Sequence, residues 1–193
     1  MVESPRRQQI EDAASALFRE RGYAATSVRD IARAIDLQGG SLYAHVASKE
    51  DVLWSIVERA ADRFDAAVAP IAESAEPAVD RLRRMVGAHI AVITSDLGNA
   101  ASFLHEWRFL SVERRAAVNA RRDGYERRFR QVIADGVAGG DFAAPDVRLA
   151  ATWMLSALNG IATWYRPDGE LTADAIAERY SDLILNGLRR TQP

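Results

Sequence analysis

The sequence predicts an all-α protein of about nine helices, with an N-terminal head of three helices and a larger helical body. Three observations predict it. Apolar residues recur at the i, i+3, i+4, i+7 spacing of a helix face along most of the chain. No segment alternates apolar with polar residues as a strand does. The breaks in the pattern fall at Ser, Thr, Asp, Gly and Pro, the residues that begin and end helices. The 193 residues are 48% apolar and 27% charged, enough core for one mid-sized domain or a small domain fused to a larger one. The division expected is 1–50 for the head and 51–193 for the body, joined by a long helix that starts near residue 48.

In the first helix, Ile10, Ala13, Ala14, Leu17 and Phe18 form one face. Ser4 is placed to cap it, Pro5 suits its first position, and Gly22 reads as its stop. Ser27 opens the second, with Asp30 three residues on as a near capping box and Val28, Ile31, Ala32 and Ile35 facing inward. Gln38-Gly39-Gly40 is a tight connection. A very short helix then spans roughly 40–46, with Leu42 and Val46 turned in. Ser48 caps a long helix with Glu50 and Asp51 at its positive dipole end and a stripe of Val52, Leu53, Ile56, Val57, Ala60 and Phe64. Pro70 and Glu73-Ser74-Ala75-Glu76-Pro77 interrupt the pattern. Further helices are expected over about 77–95, 99–110, 111–139 and 145–165. Thr172 caps a last helix whose expected face is Ile176, Tyr180, Leu183, Ile184 and Leu188.

Composition excludes several chemistries. The absence of cysteine removes disulfides, thiolate zinc and thiol catalysis. No His, Asp and Glu cluster calls for a metal, and no cofactor is expected. The first residues carry no apolar core of a secretory signal, so a cytoplasmic address is expected. A net charge of −2 gives no global attraction to nucleic acid or to anionic membrane, so such binding must come from a local patch. Of 25 basic residues one is lysine, Lys49, which leaves 25 − 1 = 24 arginines.

One segment, 149–165, has no charged residue. A helix apolar all round must be covered on more than one side. With Thr152, Ser156, Asn159, Gly160 and Thr163 in it, and at the short limit of length, it reads poorly as a membrane span. Either both faces are internal core, or one face meets a partner subunit. The second reading predicts a homodimer built from the last two helices.

Residues 27–46 have the spacing of a helix-turn-helix, whose second helix enters the DNA major groove. Gln38 and Ser41 can bond base edges, and Gly39 and Gly40 let the backbone approach closely. Tyr43 and His45 carry polar tips suited to phosphate or sugar. Lys49 sits where its charge joins helix amides at one phosphate, and Thr26, Ser27 and Arg29 open the preceding helix similarly. An ordinary helical hairpin has the same spacing.

The residues say more than the spacing. Arg29-Asp30-Ile31-Ala32, Gly40-Ser41-Leu42-Tyr43-Ala44-His45-Val46 and Ser48-Lys49-Glu50-Asp51-Val52-Leu53 resemble the DNA-binding region of the tetracycline-repressor (TetR) family. Ala14, Leu17, Phe18, Gly22, Tyr23, Thr26, Ser27 and Val28 fit too, so the resemblance covers about 6–57. It implies phosphate contacts for Tyr43 and Lys49, and base or phosphate neighbours for Gln38, Gly39, Gly40 and Ser41. It also implies an all-α homodimer reading a double-stranded palindromic operator, with heads ~34–36 Å apart. A small effector would bind in the C-terminal part and release the DNA.

For the effector, Phe103, Trp107, Trp153 and Trp164 supply most of the aromatic surface, with Met85, Ile90, Leu104, Met154 and Leu158 as candidate walls. Simple core membership explains the same residues. His89, His105 and Asn159 lie in apolar helices, and Glu106 is the strong acidic candidate for a cationic drug. Eight arginines, at 108, 114, 115, 121, 122, 127, 128 and 130, form either a solvated helix face or a phosphate-binding patch beside an apolar pocket. An acyl-coenzyme A thioester has that polarity. His105-Glu106-Trp107-Arg108 and the string 164–172 resemble a TetR branch that governs fatty-acid, sterol or aromatic-acid breakdown, several members of which answer to coenzyme A thioesters. The candidate ligand residues are His89, Phe103, Trp107, Arg108, Arg121, Arg122, Tyr125, Trp153 and Asn159. The competing functions are a multidrug-sensing repressor of an efflux gene and a helical protein or enzyme acting on the thioester.

Overall fold

A computed structural model describes residues 5–37, 42–144 and 146–189. Eight α-helices and one short 3-10 helix account for most of them: α1 (Pro5–Arg21), α2 (Val28–Ala34), α3 (Lys49–Ala72), α4 (Ala78–Ser95), α5 (Leu97–His105), the 3-10 helix (Glu106–Phe109), α6 (Val112–Ala138), α7 (Val147–Trp164) and α8 (Ala173–Leu188). Among the described residues there is no strand, only an isolated antiparallel bridge between Phe142 and Arg189. The all-α expectation holds. Of the tight connection Gln38-Gly39-Gly40 and the short helix expected at 40–46, residues Gln38, Gly39, Gly40 and Ser41 lie outside the described residues. From Leu42 the chain makes a helical turn, with His45 N–H donating to Leu42 C=O at 2.9 Å.

The helix ends form for local reasons. The Ser27 side chain accepts from Asp30 N–H while the Asp30 carboxylate accepts from Ser27 N–H, a complete capping box. Ser48 Oγ accepts from Asp51 N–H and Thr172 Oγ1 from Ala175 N–H. Gly22 takes φ 82°, a left-handed conformation that closes α1 and lets its N–H reach Phe18 C=O. Three boundaries differ from expectation. α3 runs through Pro70 to Ala72, because a proline in the last turn forfeits a single hydrogen bond near the end of a long helix. α5 begins at Leu97, capped by the Asp96 side chain on Asn99 N–H, and Glu106–Phe109 tightens into the 3-10 helix. Asp146, through Leu149 N–H, is the cap of α7.

The chain divides into two compact units. Unit 1 is 1–62 with 96–119, and unit 2 is 63–95 with 120–193. In unit 1, α1 packs on α2 and on α5. Ile10, Ala14 and Phe18 of α1, Ile31 of α2, Leu42, and Leu53 and Ile56 of α3 are fully buried or nearly so. The α1–α5 approach is close at Gly98, where an added Cβ would lie 2.8 Å from Ser15 Oγ.

In unit 2, α4 packs on α7 and α8. Leu82, Met85, Ile90 and Ile93 of α4, Met154, Leu158 and Ile161 of α7, and Ile184 and Leu185 of α8 form its interior. Leu183 was expected on the inner face of α8 but is 68% exposed. The buried stripe of Ile176, Ser181, Ile184, Leu185 and Leu188 is centred on the opposite side of Ile176 from Leu183, at 100° per residue. α7 is likewise two-sided. Leu149 and Trp153 point outward, and with Ala143, Ala144, Ala150, Gly187 and Leu188 they line an apolar groove of about 500 Å³.

Among the described glycines of unit 2, the closest approach is at Gly136 of α6. An added Cβ there would meet the Phe142 ring at 2.2 Å. Phe142 is 3% exposed and has no room to retreat. Gly136→Ala is expected to destabilise the protein by about 1–3 kcal/mol through overpacking. Urea unfolding checks this, with Gly124→Ala, where the nearest atom is a flexible arginine end at 3.5 Å, as the tolerated control.

Candidate functional site

The head of unit 1 presents a small polar surface on a buried base. Leu42 and Val46 anchor the described part of the tip from inside, as their apolar side chains require. Between them Tyr43, 57% exposed, and His45 face solvent. Ser27 and Arg29, at the start of α2, are exposed as well. The chain leaves α2 through Asp36 at φ 54°, a left-handed turn that aspartate tolerates better than most residues. Leu37 N–H then donates to Ala32 C=O at 2.8 Å.

Two expected contacts take other roles. Thr26 is 1% exposed, and its hydroxyl donates to Gly22 C=O at 2.9 Å. The side chain closes the end of α1 and has no free face for a phosphate. Lys49 is the second. Its Nζ donates to Tyr23 C=O and to Thr26 C=O, each at 2.8 Å, and stands 4.1 Å from the centre of the Tyr23 ring. Two of three ammonium protons are therefore committed to the turn between α1 and α2. Partial burial lowers the lysine pKa from its usual value. Lysine fits where arginine would not, because a compact ammonium can gather two converging carbonyls and a ring face.

Tyr23 is held from its other end too. Its N–H donates to Glu106 Oε2 at 3.1 Å, and its ring stacks on Phe109 at 5.3 Å and meets Phe18 edge-on at 5.2 Å. Burial, then the Glu50 charge, raise the tyrosine pKa. Glu106, the acid expected to greet a cationic ligand, thus fastens the head to the 3-10 helix. A second tie lies in the first turn of α3. Glu50 Oε1 accepts from Ser111 N–H at 3.0 Å and from Arg114 at 3.1 Å, and Arg114 also pairs with Asp51 and lies 5.5 Å over the Trp54 ring. The hydrogen bond from Arg114, then that from Ser48, hold the Asp51 carboxyl below the usual carboxylate range.

The arginine-rich stretch is not a free phosphate patch. Arg114 is spent on Glu50 and Asp51, and Arg115 donates to Leu110 C=O at 2.9 Å. Arg121 and Arg128 both pair with Asp65, at 2.9 and 2.8 Å, and Arg130 with Glu126 at 3.4 Å. Asp65 lies 56 and 63 residues from its two partners, beyond what helix spacing reveals. Arg108 and Arg127 remain exposed.

The ligand candidates separate. Phe103, Trp107 and Arg108 belong to unit 1; His89, Arg121, Arg122, Tyr125, Trp153 and Asn159 belong to unit 2. Trp153, 51% exposed, lies on the outer groove and not in an interior pocket. Inside unit 2, His89 of α4 is 2% exposed, and its Nδ1 lies 2.9 Å from the Tyr125 hydroxyl. Phe64 and Phe129 flank the ring at 4.9 and 6.4 Å. Burial drives the histidine pKa down to about 3, against the side-chain hydrogen bond of Asn159, which raises it, so the imidazole is neutral at pH 7. Sequence reasoning missed both as its neighbours: Phe64 reads as part of an ordinary core stripe, and the sequence does not single out Phe129. No group of three or more His, Cys, Asp or Glu suited to a metal occurs among the described residues, and no described helix is long and apolar enough to cross a membrane.

An anchored head with Tyr43 and His45 exposed at its tip suits a DNA-binding regulator. Residues 10–56 match the family of bacterial regulatory proteins, tetR family, and residues 75–188 match the tetracyclin repressor-like C-terminal domain. The chain belongs to the TetR family of transcriptional regulators. It is 32% identical over 187 residues to the HTH-type transcriptional repressor KstR2 of Rhodococcus jostii (strain RHA1), covering 96% of this chain and 92% of that one. The crystal structure of the TetR regulator PfmR from Thermus thermophilus superposes with a TM-score of 0.85 at 39% identity, over 94% of this chain and 99% of that one. AibR, crystallised with isovaleryl coenzyme A and operator DNA, gives a TM-score of 0.83 at 28% identity, over 95% and 98% of the two chains. KstR2 is named a transcriptional repressor and PfmR a transcriptional regulator.

The geometry separates a holding role for Lys49 from a phosphate contact. Lys49→Met is expected to weaken binding to a duplex selected with the wild-type protein while leaving the slope of log K against log salt unchanged. Arg29→Ala, which removes an exposed charge, is expected to reduce that slope by about 1. Fluorescence anisotropy across a salt series checks both.

Proposed function

We propose that the protein is a repressor that holds a palindromic operator and releases it on binding an acyl-coenzyme A thioester, and that it controls genes of lipid or aromatic-acid degradation in the cytoplasm. The observation that carries the DNA half is the exposed set Ser27, Arg29, Tyr43 and His45 on an anchored head. On this reading Tyr43 meets a phosphate, and Gln38, Gly39, Gly40 and Ser41 approach the bases. Residues 1–50 serve as the DNA-binding part and 51–193 as the effector and dimer part. A homodimer would bury the uncharged outer face of α7 and its neighbour on α8, where Leu149, Trp153 and Leu183 are 65, 51 and 68% exposed. The thioester is supported by the likeness to AibR, which was crystallised with such a compound.

The multidrug reading loses its main support, because Glu106 is engaged by the Tyr23 amide. An anionic nucleotide end would instead meet arginines left exposed, such as Arg108. An acyl-thioester enzyme is disfavoured by relatives that are regulators.

Release is measured by anisotropy of a labelled palindromic duplex with added ligand. Octanoyl- and isovaleryl-coenzyme A are expected to displace the duplex at micromolar concentration, whereas free coenzyme A, octanoate and cationic dyes are not. Displacement by dyes with no response to any thioester would overturn the effector assigned here.

A further inference from the structure

One residue of α3 joins three helices of unit 1. The Arg59 guanidinium pairs with Glu11 Oε2 at 2.8 Å and with Asp12 Oδ1 at 3.1 Å, and donates to Gln8 Oε1, all on α1. It also donates to Asn99 Oδ1 of α5 at 3.4 Å. Glu11 is fully enclosed, and Arg7 pairs with its other oxygen at 3.2 Å. A carboxylate withdrawn from water needs such partners, and breaking a buried pair from one side is costly. The crossing of α1 over α3 is therefore fixed where Arg59 meets Glu11.

The arm to α5 is of another kind. Asn99 is 2% exposed. The Asp96 carboxylate, which caps α5, accepts from both the backbone and the side-chain N–H of Asn99. That leaves the amide oxygen to face Arg59. This bond is longer than those to the acids and its acceptor is neutral, so it is the weakest arm of the three helices. One residue earlier, α5 lies hard against α1, with Gly98 at Ser15. Phe103, one of the ligand candidates, follows Asn99 by four residues on the same face of α5 and is 8% exposed.

We propose that Arg59 is a positioning residue that reads α5 through Asn99: this contact couples effector binding to operator release, while the acids of α1 hold the head with or without effector. The inference rests on the effector reading above and adds to it the atoms that transmit the response. An effector that displaces Phe103 carries Asn99 with it, since both lie on one helix of nine residues. The Arg59 fork then loses its α5 arm, the balance of forces on α1 changes, and α1 packs directly on α2 of the DNA-binding head. The strong, buried pair keeps the head folded while the weak arm gives way, so release needs no unfolding.

The test measures operator affinity by anisotropy with and without saturating octanoyl-coenzyme A, and thioester affinity by isothermal titration. In Asn99→Ala the ratio of the two operator affinities is expected to fall about 5-fold, the worth of one such hydrogen bond, with ligand-free operator binding and thioester binding near their wild-type values. Glu11→Gln is expected to do the reverse, weakening ligand-free operator binding and keeping the ratio. A wild-type ratio in Asn99→Ala overturns the inference and leaves the thioester reading standing. A loss confined to ligand-free operator binding overturns it as a merely structural effect. Loss of thioester binding overturns it too, because Asn99 would then act on the ligand and not through Arg59. Asn99→Ser replaces Asn99→Ala if the latter does not fold. If no thioester releases the wild-type protein, the effector reading falls, and a double-mutant cycle of Asn99→Ala with Arg59→Met on urea unfolding decides the link. Non-additive changes uphold it and additive changes overturn it.

Discussion

The peptide of Tyr23 is gripped from both sides, and the presentation of the DNA-binding tip depends on that grip. Its N–H goes to Glu106 and its C=O to Lys49, whose ammonium also takes Thr26 C=O and rests against the Tyr23 ring. The segment between α1 and α2 has no helical ladder to satisfy its carbonyls, so a cation does it. Charge-assisted bonds to partly buried groups are stronger than neutral ones. With that turn fixed, α2 starts from a set position, and Leu42 and Val46 seat the tip beneath its exposed Tyr43 and His45.

The same economy governs the other charges of unit 1. Glu50 and Asp51 favour the positive end of α3; both also draw in Arg114, and Glu50 accepts from the Ser111 amide just before α6. The first turn of α3 is therefore tied to the α1–α2 turn by Lys49 and to the α6 start by its acids. A change in the α5–α6 region of unit 1 would reach the head through few, strong contacts, the kind of connection a ligand-responsive regulator requires.

What the sequence revealed was whatever is encoded within a few residues. The Ser27–Asp30 box, the Ser48 and Thr172 caps and the Gly22 stop were all legible, since each joins groups three or four positions apart. The tip's inward Leu42 and Val46 were legible from the same periodicity. Lys49 drew notice as the solitary lysine, yet its carbonyl partners lie 26 and 23 residues away and its role could not be read from spacing. Arg121 and Arg128 looked like free cations for the same reason, because Asp65 is on another helix. Thr26 looked like a polar surface residue, and only packing shows that its hydroxyl is enclosed. Leu183 sat at the margin of an apolar stripe, where one step of rotation decides between inside and outside.

Amide hydrogen exchange at Tyr23 tests the account most directly. The Tyr23 N–H lies outside any helix and has one partner, the Glu106 carboxylate. In the wild-type protein it is expected to exchange as slowly as amides of the α1 core, and in Glu106→Ala and Lys49→Met as fast as an open loop, with the far end of α8 unchanged. A Tyr23 amide that exchanges freely in the wild type, or that keeps full protection in both variants, would contradict the claim that this grip holds the head in place.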